Sequence, residues 1–327
     1  MRAGSPYPRL LADLGGTHMR FGWTRGPGDG IAALGTVDCA DFERIEDAIA
    51  AGLGRRTPPP ASFAMAVAAP VSADTVCLTN LGWTFSIASL QRTLGLERLV
   101  VLNDFAALAL AIPSLKPEET WPVGGGQAVP GAAVAVLGPG TGLGVSGLFD
   151  TPDGPRQMPS EGGHASLSAG DAVEDQLLAV LRNWYGHVSF ERVVSGPGIV
   201  NLYRAHCELA RLEAAPYDAE VITARADEGS DACCVAAVES FFGFLGAFAG
   251  NLALTLAARG GVYLGGGIVP RLGQRIVTSN FRSRFEGKGR FRDYLAGIPT
   301  RVIAHPSAAT LRGADIALDR PAAPALA

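Results

Sequence analysis

Lysine is almost missing from this chain. Lys116 and Lys288 are the only two among 27 basic residues in a length of 327. A Walker A loop requires Gly-Lys-[Ser/Thr], and a protein kinase requires a strand lysine on the phosphates. Lys116 lies in "SLKPEE" and Lys288 in "FEGKGRF", so neither motif is present. If this protein handles nucleotide phosphates, it must use backbone amides, hydroxyls and metal. Basic blocks are missing too, and the net charge is −4, which argues against a nucleic-acid partner held by phosphate contacts. The five cysteines, Cys39, Cys77, Cys207, Cys233 and Cys234, are an odd number without a Cys-x-x-Cys. Neither a disulfide framework nor a zinc knuckle fits them, and a reducing cytoplasm does. The opening "MRAGSPYPRLLADLGG" has no apolar run of the signal-peptide kind. One uncharged stretch, Phe241 to Ala258, is long enough to flag a membrane span. Its Gly243, Gly246, Gly250, Asn251 and Thr255 favour a central helix packed closely on several sides instead.

What is present is apolar and alternating. A hydrophobic share of 48% supports a large core and, at this length, two domains. "RLLADLGG", "MRFGWT" and "AALGTVDC" read as strands, and "DFERIEDAIAAGLG" as a helix ending at Gly52/Gly54. "FAMAVAAPV" is a buried strand, "TVCLTNLGWTFS" contains a turn, and Ser86 opens the helix "IASLQRTLG". "SLKPEETWPVGGGQAVPG" is a Pro/Gly-rich linker to a second unit. That unit opens with "AAVAVLGPGTGLGVSGLFD", two strands around a glycine loop. Helices are expected at Asp171–Tyr185, Pro197–Ala210, Ala232–Ala258 and Arg271–Phe285, and buried strands at "GVYLGGG" and "TRVIAHP". The last helix, about Ala308 to Leu318, could pack back on the first domain.

The candidate chemistry sits where apolar runs stop. "VVLNDFAALA" is a short β-branched strand, then Asn103 and Asp104, then an Ala/Leu helix ended by Pro113. Strand-end polar groups face the ligand crevice of an open α/β sheet, but Asn and Asp also cap helices, and these residues alone leave both readings open. "DLGGT" (Asp13 to Thr17) offers glycines for close approach, a hydroxyl, and a carboxylate able to hold a metal's water shell. An ordinary hairpin explains its glycines but not Asp13. "GPGTGLG" repeats the design with Thr141 at its tip, and amide nests of this kind favour anions. Gly142, Gly144 and Gly147 also match G-x-G-x-x-G, but Val145, Gly147 and Phe149 alternate with Ser146 and Leu148 as a strand does, which removes the dinucleotide reading. Glu161 and His164 in "SEGGH", with Glu191, suit a polyol, since carboxylates accept from hydroxyls while amide and imidazole can also donate. Each alone is more often a surface or capping group. "GVYLGGGIVPR" ends a buried strand in three glycines, fit for the flat face of a base or for a tight packing turn.

Taken in order, "DLGGTHMR", "LTNLGWTFS", "NDFAALALAIP", "GPGTGLGV", "EGGH", "GHVSFERVVSGPGIVNLYRA", "GNLALTLAARGGVYLGGGIVPR" and "FEGKGRF" resemble the bacterial glucokinase family, a hexokinase branch of the actin-like ATPase superfamily. The resemblance covers most of the chain. It implies an α/β, two-domain actin-like ATPase (ribonuclease-H-like) fold with an interdomain cleft. The small domain would be 1–113, completed by a C-terminal helix at about 306–327, and the large domain 114–305. It implies ATP-dependent phosphorylation of D-glucose at the 6-hydroxyl by a cytoplasmic homodimer. By the same likeness Asp104 is the catalytic base, and Asn103, Asp104, Glu161, His164 and Glu191 hold the sugar. Ala12, Asp13, Leu14, Gly15, Gly16 and Thr17, with Gly140 and Thr141, hold phosphates. Gly265 and Gly266 face the adenosine, and Asp13 holds Mg²⁺ through water. His18 stands where the family has Asn. The related repressor–kinase branch carries a cysteine-rich zinc motif after Glu-x-Gly-His. Here "ASLSAGDAVEDQ" follows, and no helix-turn-helix extension precedes the first strand, so neither zinc nor DNA binding is expected. The alternatives are another hexose, a polyphosphate donor, an actin-like chaperone ATPase, or a sugar sensor without turnover.

Overall fold

Leu10, Leu11, Ala12 and Leu14 are all buried, so "RLLADL" is satisfied only in a sheet covered on both faces. It forms β1 (Arg9–Leu14), the central strand of the first sheet in a computed structural model. The structure describes residues 6–71, 73–78 and 80–320. The first five residues of the stretch read for a leader, Thr79 of the expected turn, and the tail 321–327 lie outside them. Two units result: Met1–Lys116, Pro155–Pro159 and His305–Ala327 in one, Pro117–Gly154 and Ser160–Ala304 in the other.

In the first unit β1 is followed by β2 (His18–Thr24), β3 (Ala32–Asp38), α1 (Ile45–Leu53) and β4 (Ser62–Val67). Next come a hairpin of β5 (Thr75–Leu78) and β6 (Trp83–Ser86), α2 (Ile87–Thr93), β7 (Arg98–Asn103) and α3 (Asp104–Ala111). The sheet runs β3-β2-β1-β4-β7. β1, β4 and β7 are parallel, with Leu14 beside Val67 and Val67 beside Asn103. Their carboxyl ends therefore form one edge, which carries both the Asp13–Thr17 turn and the Asn103–Asp104 step. Phe21, Ile45, Phe63, Met65 and Phe85 fill one face of the sheet's core.

The second unit holds β8 (Thr120–Pro122), β9 (Val134–Pro139), β10 (Leu143–Phe149), α4 (Ala172–Tyr185), α5 (Gly196–Leu209), α6 (Ala219–Glu228) and α7 (Ala232–Thr255); β11 (Arg156–Ser160), between β10 and α4, belongs through residues 156–159 to the first unit. β12 (Gly261–Leu264), α8 (Ile268–Leu272), α9 (Arg275–Thr278), α10 (Phe281–Glu286), α11 (Arg292–Ala296) and β13 (Thr300–Ile303) follow, and the chain then forms α12 (Pro306–Leu318). Within this unit the sheet order is β10-β9-β12-β13-β8.

α7 is long and apolar enough to cross a membrane, yet most of it is buried within the protein. Its glycines explain how. A Cβ on Gly246 would lie 2.1 Å from the Phe281 carbonyl oxygen, and one on Gly250 2.5 Å from that of Phe285. α10 thus rests directly on the backbone of α7. α12 packs on β1 and β4 through Leu311, Ala314 and Leu318 against Leu11 and Ala64. Gly313 lies so close to α3 that a Cβ there would reach 1.7 Å from Ala107 O. Arg9, buried on β1, pairs with Asp315 at 2.9 Å and with Asp319, fixing the register of the helix.

Four local readings are corrected. The Pro/Gly-rich linker contains β8, an edge strand whose Trp121 pairs with Val302, a place where Pro122 costs no ladder bond to a further neighbour. The single helix expected over Arg271–Phe285 is broken into α8, α9 and α10, because Gly273 turns left-handed at φ 56° and Ser279 is extended. Phe42 lies before α1, which starts at Ile45. α6 and β11 were not foreseen: α6 buries only Ile222 and Ala226, and β11 has no buried residue, too little apolar patterning to read.

Candidate active site

Asp13 sits near the end of β1 and is buried. Burial pushes its carboxyl above the ordinary value, while a hydrogen bond from Ser307 and the Arg20 guanidinium oppose that shift. Arg20 is cross-strand from Asp13 on β2, with Nη1 at 3.9 Å and much of its side chain in solvent. The carboxylate is thus short of positive charge. A hydrated divalent cation would relieve that deficit, and a lone hard-oxygen donor suits Mg²⁺, which keeps most of its waters. The turn closes by Gly15 N–H donating to His18 O at 3.0 Å. His18 puts Nδ1 at 2.8 Å from Thr17 Oγ1 and so orients that hydroxyl. The side chains of Ala12 and Leu14 are in the core, so these residues can offer a ligand only their main chain.

At the same edge Asn103 is the N-cap of α3, its Oδ1 accepting from Phe105 N–H at 3.0 Å and Ala106 N–H at 3.1 Å. The capping reading of Asn103 is therefore correct as far as it goes. Asp104 is the first helical residue. Its Oδ1 accepts from Asn103 Nδ2 at 3.1 Å and Phe105 N–H at 2.9 Å, which fixes the carboxylate at a positive helix end.

The second unit gathers Glu161, His164 and Glu191 around the start of β10. Glu161 opens the 3₁₀ turn Gly162–His164 without a side-chain capping bond and is exposed. His164 Nδ1 is 3.8 Å from Glu191 Oε1. The second glycine turn is packed within and open outside. A Cβ on Gly138 would meet the Gly265 backbone at 2.4 Å, and one on Gly266, at φ 71°, would meet Pro139 O at 2.4 Å. At Gly140, nearer the tip, nothing lies within 4 Å. Such a turn fits a phosphate against its amides, with Gly265 and Gly266 directly behind it. No residue pattern marks Ser307, which reaches Asp13 only because α12 docks on β1. Arg20 was readable, being cross-strand from Asp13 in a short hairpin. Among the described residues no three of His, Cys, Asp or Glu are grouped to hold a metal.

Two α/β units, each with a strand, a Gly-Thr turn and an antiparallel strand, form the actin-like two-domain fold of sugar kinases. The glucokinase family model matches residues 10–321. A glucokinase of Aromatoleum aromaticum is 48% identical over 96% of this chain and 95% of its own length. A bifunctional protein of Paraburkholderia xenovorans is 46% identical over 90% of this chain, which spans about half of that protein (46%). The crystal structure of a glucokinase from an Antarctic psychrotroph superposes with a TM-score of 0.84 at 37% identity, covering 95% of this chain and 98% of that one. A Balamuthia mandrillaris glucokinase solved with glucose shares the fold at 23% identity and a TM-score of 0.76, over 96% and 93% of the two chains. The chain belongs to the glucokinase family.

Proposed function

We propose how this chain divides the work of its reaction, the ATP-dependent phosphorylation of D-glucose at the 6-hydroxyl. Asp104 is the base. A carboxylate is too weak to ionise an alcohol beforehand, but in a loose phosphoryl transfer it need only orient the hydroxyl and take its proton as the P–O bond forms. The observation that carries this assignment is that Asn103 Oδ1 already caps α3 through the Phe105 and Ala106 amides, while the Asp104 carboxylate is held at the same helix end by Asn103 Nδ2 and Phe105 N–H. Asn103, Glu161, His164 and Glu191 hold the sugar hydroxyls with Asp104. Thr17, Thr141 and the Gly16 amide stabilise the transferred charge in place of a lysine, while Gly15 and Gly140, whose own amides close their turns onto His18 O and Gly142 O, let the phosphate come close. Gly265 and Gly266 face the adenosine.

Asp13 would hold Mg²⁺ through water. When bound, the ion supplies charge neutralisation on the phosphates. Zinc has no role in this reading, which the absence of a cysteine motif after "EGGH" supports. We take the enzyme to act in the cytoplasm as a homodimer, with residues 1–113 plus the C-terminal helix, and 114–305, as its functional domains.

Coupled turnover with a panel of hexoses and donors tests the reading. Glucose with MgATP should be the best pair, and EDTA should stop turnover until Mg²⁺ is restored. Equal rates with polyphosphate, or ATP hydrolysis indifferent to sugar, would overturn it.

A further inference from the structure

Glu191 does more in this structure than point at a sugar. Its Oε2 accepts from the Leu143 N–H at 2.9 Å, at the point where the second glycine turn becomes β10. Leu143 lies opposite Pro139, which has no N–H to offer across the hairpin. The turn, closed inside by Gly140 N–H donating to Gly142 O at 2.8 Å, is thus also held from outside its own strands. Two further contacts join the same segments. Gly196 N–H donates to Gly140 O at 2.9 Å, and Gly163, in the turn that carries His164, packs on Leu143 O so tightly that a Cβ would come to 2.2 Å. Gly142 leaves no room either: a Cβ there would lie 2.5 Å from Glu191 Oε2.

Behind Glu191 stands Ser195, only 1% exposed. Its hydroxyl donates to Glu191 O at 2.8 Å and accepts from Gly198 N–H at 3.0 Å. It thus ties the main chain of Glu191 to the first turn of α5. A hydroxyl that both donates and accepts fixes that backbone in a way an alanine cannot.

We propose that Glu191 couples sugar binding to the phosphate turn through Leu143, and that Ser195 is the positioning residue that sets this coupling. The inference rests on the reading of Glu191 as a sugar ligand and of Gly138–Gly144 as a phosphate turn. A glucose hydroxyl donating to the carboxylate narrows its orientations, and the Leu143 amide is then held in one place. A nucleotide phosphate on the ordered turn does the reverse, because coupling between two ligands is reciprocal. The device works within the second unit.

The test is calorimetric titration of glucose with and without saturating Mg²⁺–AMP-PNP, a donor that cannot transfer its phosphoryl group. The nucleotide should tighten glucose by about fivefold or more in the parent protein. In Ser195→Ala that ratio should fall to within about twofold of unity, while nucleotide affinity measured without glucose stays within about threefold. Gly142→Ala, which pushes the Glu191 carboxylate off Leu143, should abolish the ratio in the same way. Hydrogen exchange in the parent protein gives an arm that needs no variant: glucose alone should slow exchange of the Leu143 amide. Full coupling retained in both variants, or a Leu143 amide indifferent to glucose, overturns the proposal. Glu191→Gln separates the two levels. Undiminished glucose affinity in that variant overturns the sugar-site reading itself, whereas weakened glucose with coupling intact in Ser195→Ala overturns only the coupling.

Discussion

The two units place their polar groups by opposite routes. In the first, Asp13, Asn103 and Asp104 lie at or just past the ends of their own strands, held mainly by neighbours one to three residues away or directly cross-strand, with Ser307 on Asp13 and Ala69 O on Asn103 as distant additions. In the second, the glycine turn carries no acid of its own and borrows Glu191 from 48 residues away. A group placed by its own strand keeps its position when distant segments change. A group placed by a distant segment depends on every glycine contact between the two.

That contrast yields graded expectations. The largest effect is for Asp104→Ala, which should lower kcat by about 10²–10⁴ while glucose affinity stays within about tenfold, the outcome for losing a positioned base. Turnover measured beside calorimetry checks it, and a variant keeping a third of the parent kcat would remove Asp104 from that role.

Asp13→Asn should lower kcat/KM for MgATP by about 10²–10³, as loss of one electrostatic stabiliser does. Its stability should move the other way. Burial raises the Asp13 carboxyl in the folded state, so folded protein holds its proton more tightly than unfolded protein. The parent therefore loses stability as pH rises from the ordinary carboxylate range through that raised value. Without Mg²⁺ and nucleotide, Asp13→Asn should melt higher than the parent at pH 7, and the gap should close as the solution is acidified. A variant that melts lower at pH 7 would show that the carboxylate is already compensated.

In the second unit, Glu161→Gln and Glu191→Gln should act on binding, with kcat changed less than KM. Each loses a charge-assisted hydrogen bond worth about 1.5–3 kcal/mol, or about one to two decades in glucose affinity. If Glu191→Gln shifted kcat alone, the contrast between units would fail.

The smallest effect separates the two readings of Asn103. Serine caps helices about as well as asparagine, so Asn103→Ser should leave the melting temperature nearly unchanged. It should still weaken glucose, because the amide donor is gone. Unchanged glucose affinity would leave Asn103 as a cap and nothing more.

Much of this was legible from residue patterns. β1 and β7 are apolar runs with a polar group at or next to their carboxyl ends, and Ser86, Asn103 and Ser195 are short polar side chains directly before the helices they cap. Asp13, Asn103 and Asp104 stood out because a carboxylate or amide directly after a buried strand is conspicuous. What failed was weakly patterned: β8 is three residues long, and β11 and α6 bury little.

The sequence by itself determined the strongly patterned elements and the chemical inventory. It fixed which runs must be buried, where glycine lets the chain turn, and that phosphates must be met by amides and hydroxyls for want of lysine. Only the tertiary structure decided which groups meet. Ser307 reaches Asp13, Glu191 seizes the Leu143 amide, and Gly138 backs onto Gly265. The reason is physical. Periodicity and capping are local energies, readable within a few residues, whereas these contacts depend on how helices and strands far apart in the chain pack, and a backbone N–H or a close glycine approach leaves no mark on residue type beforehand.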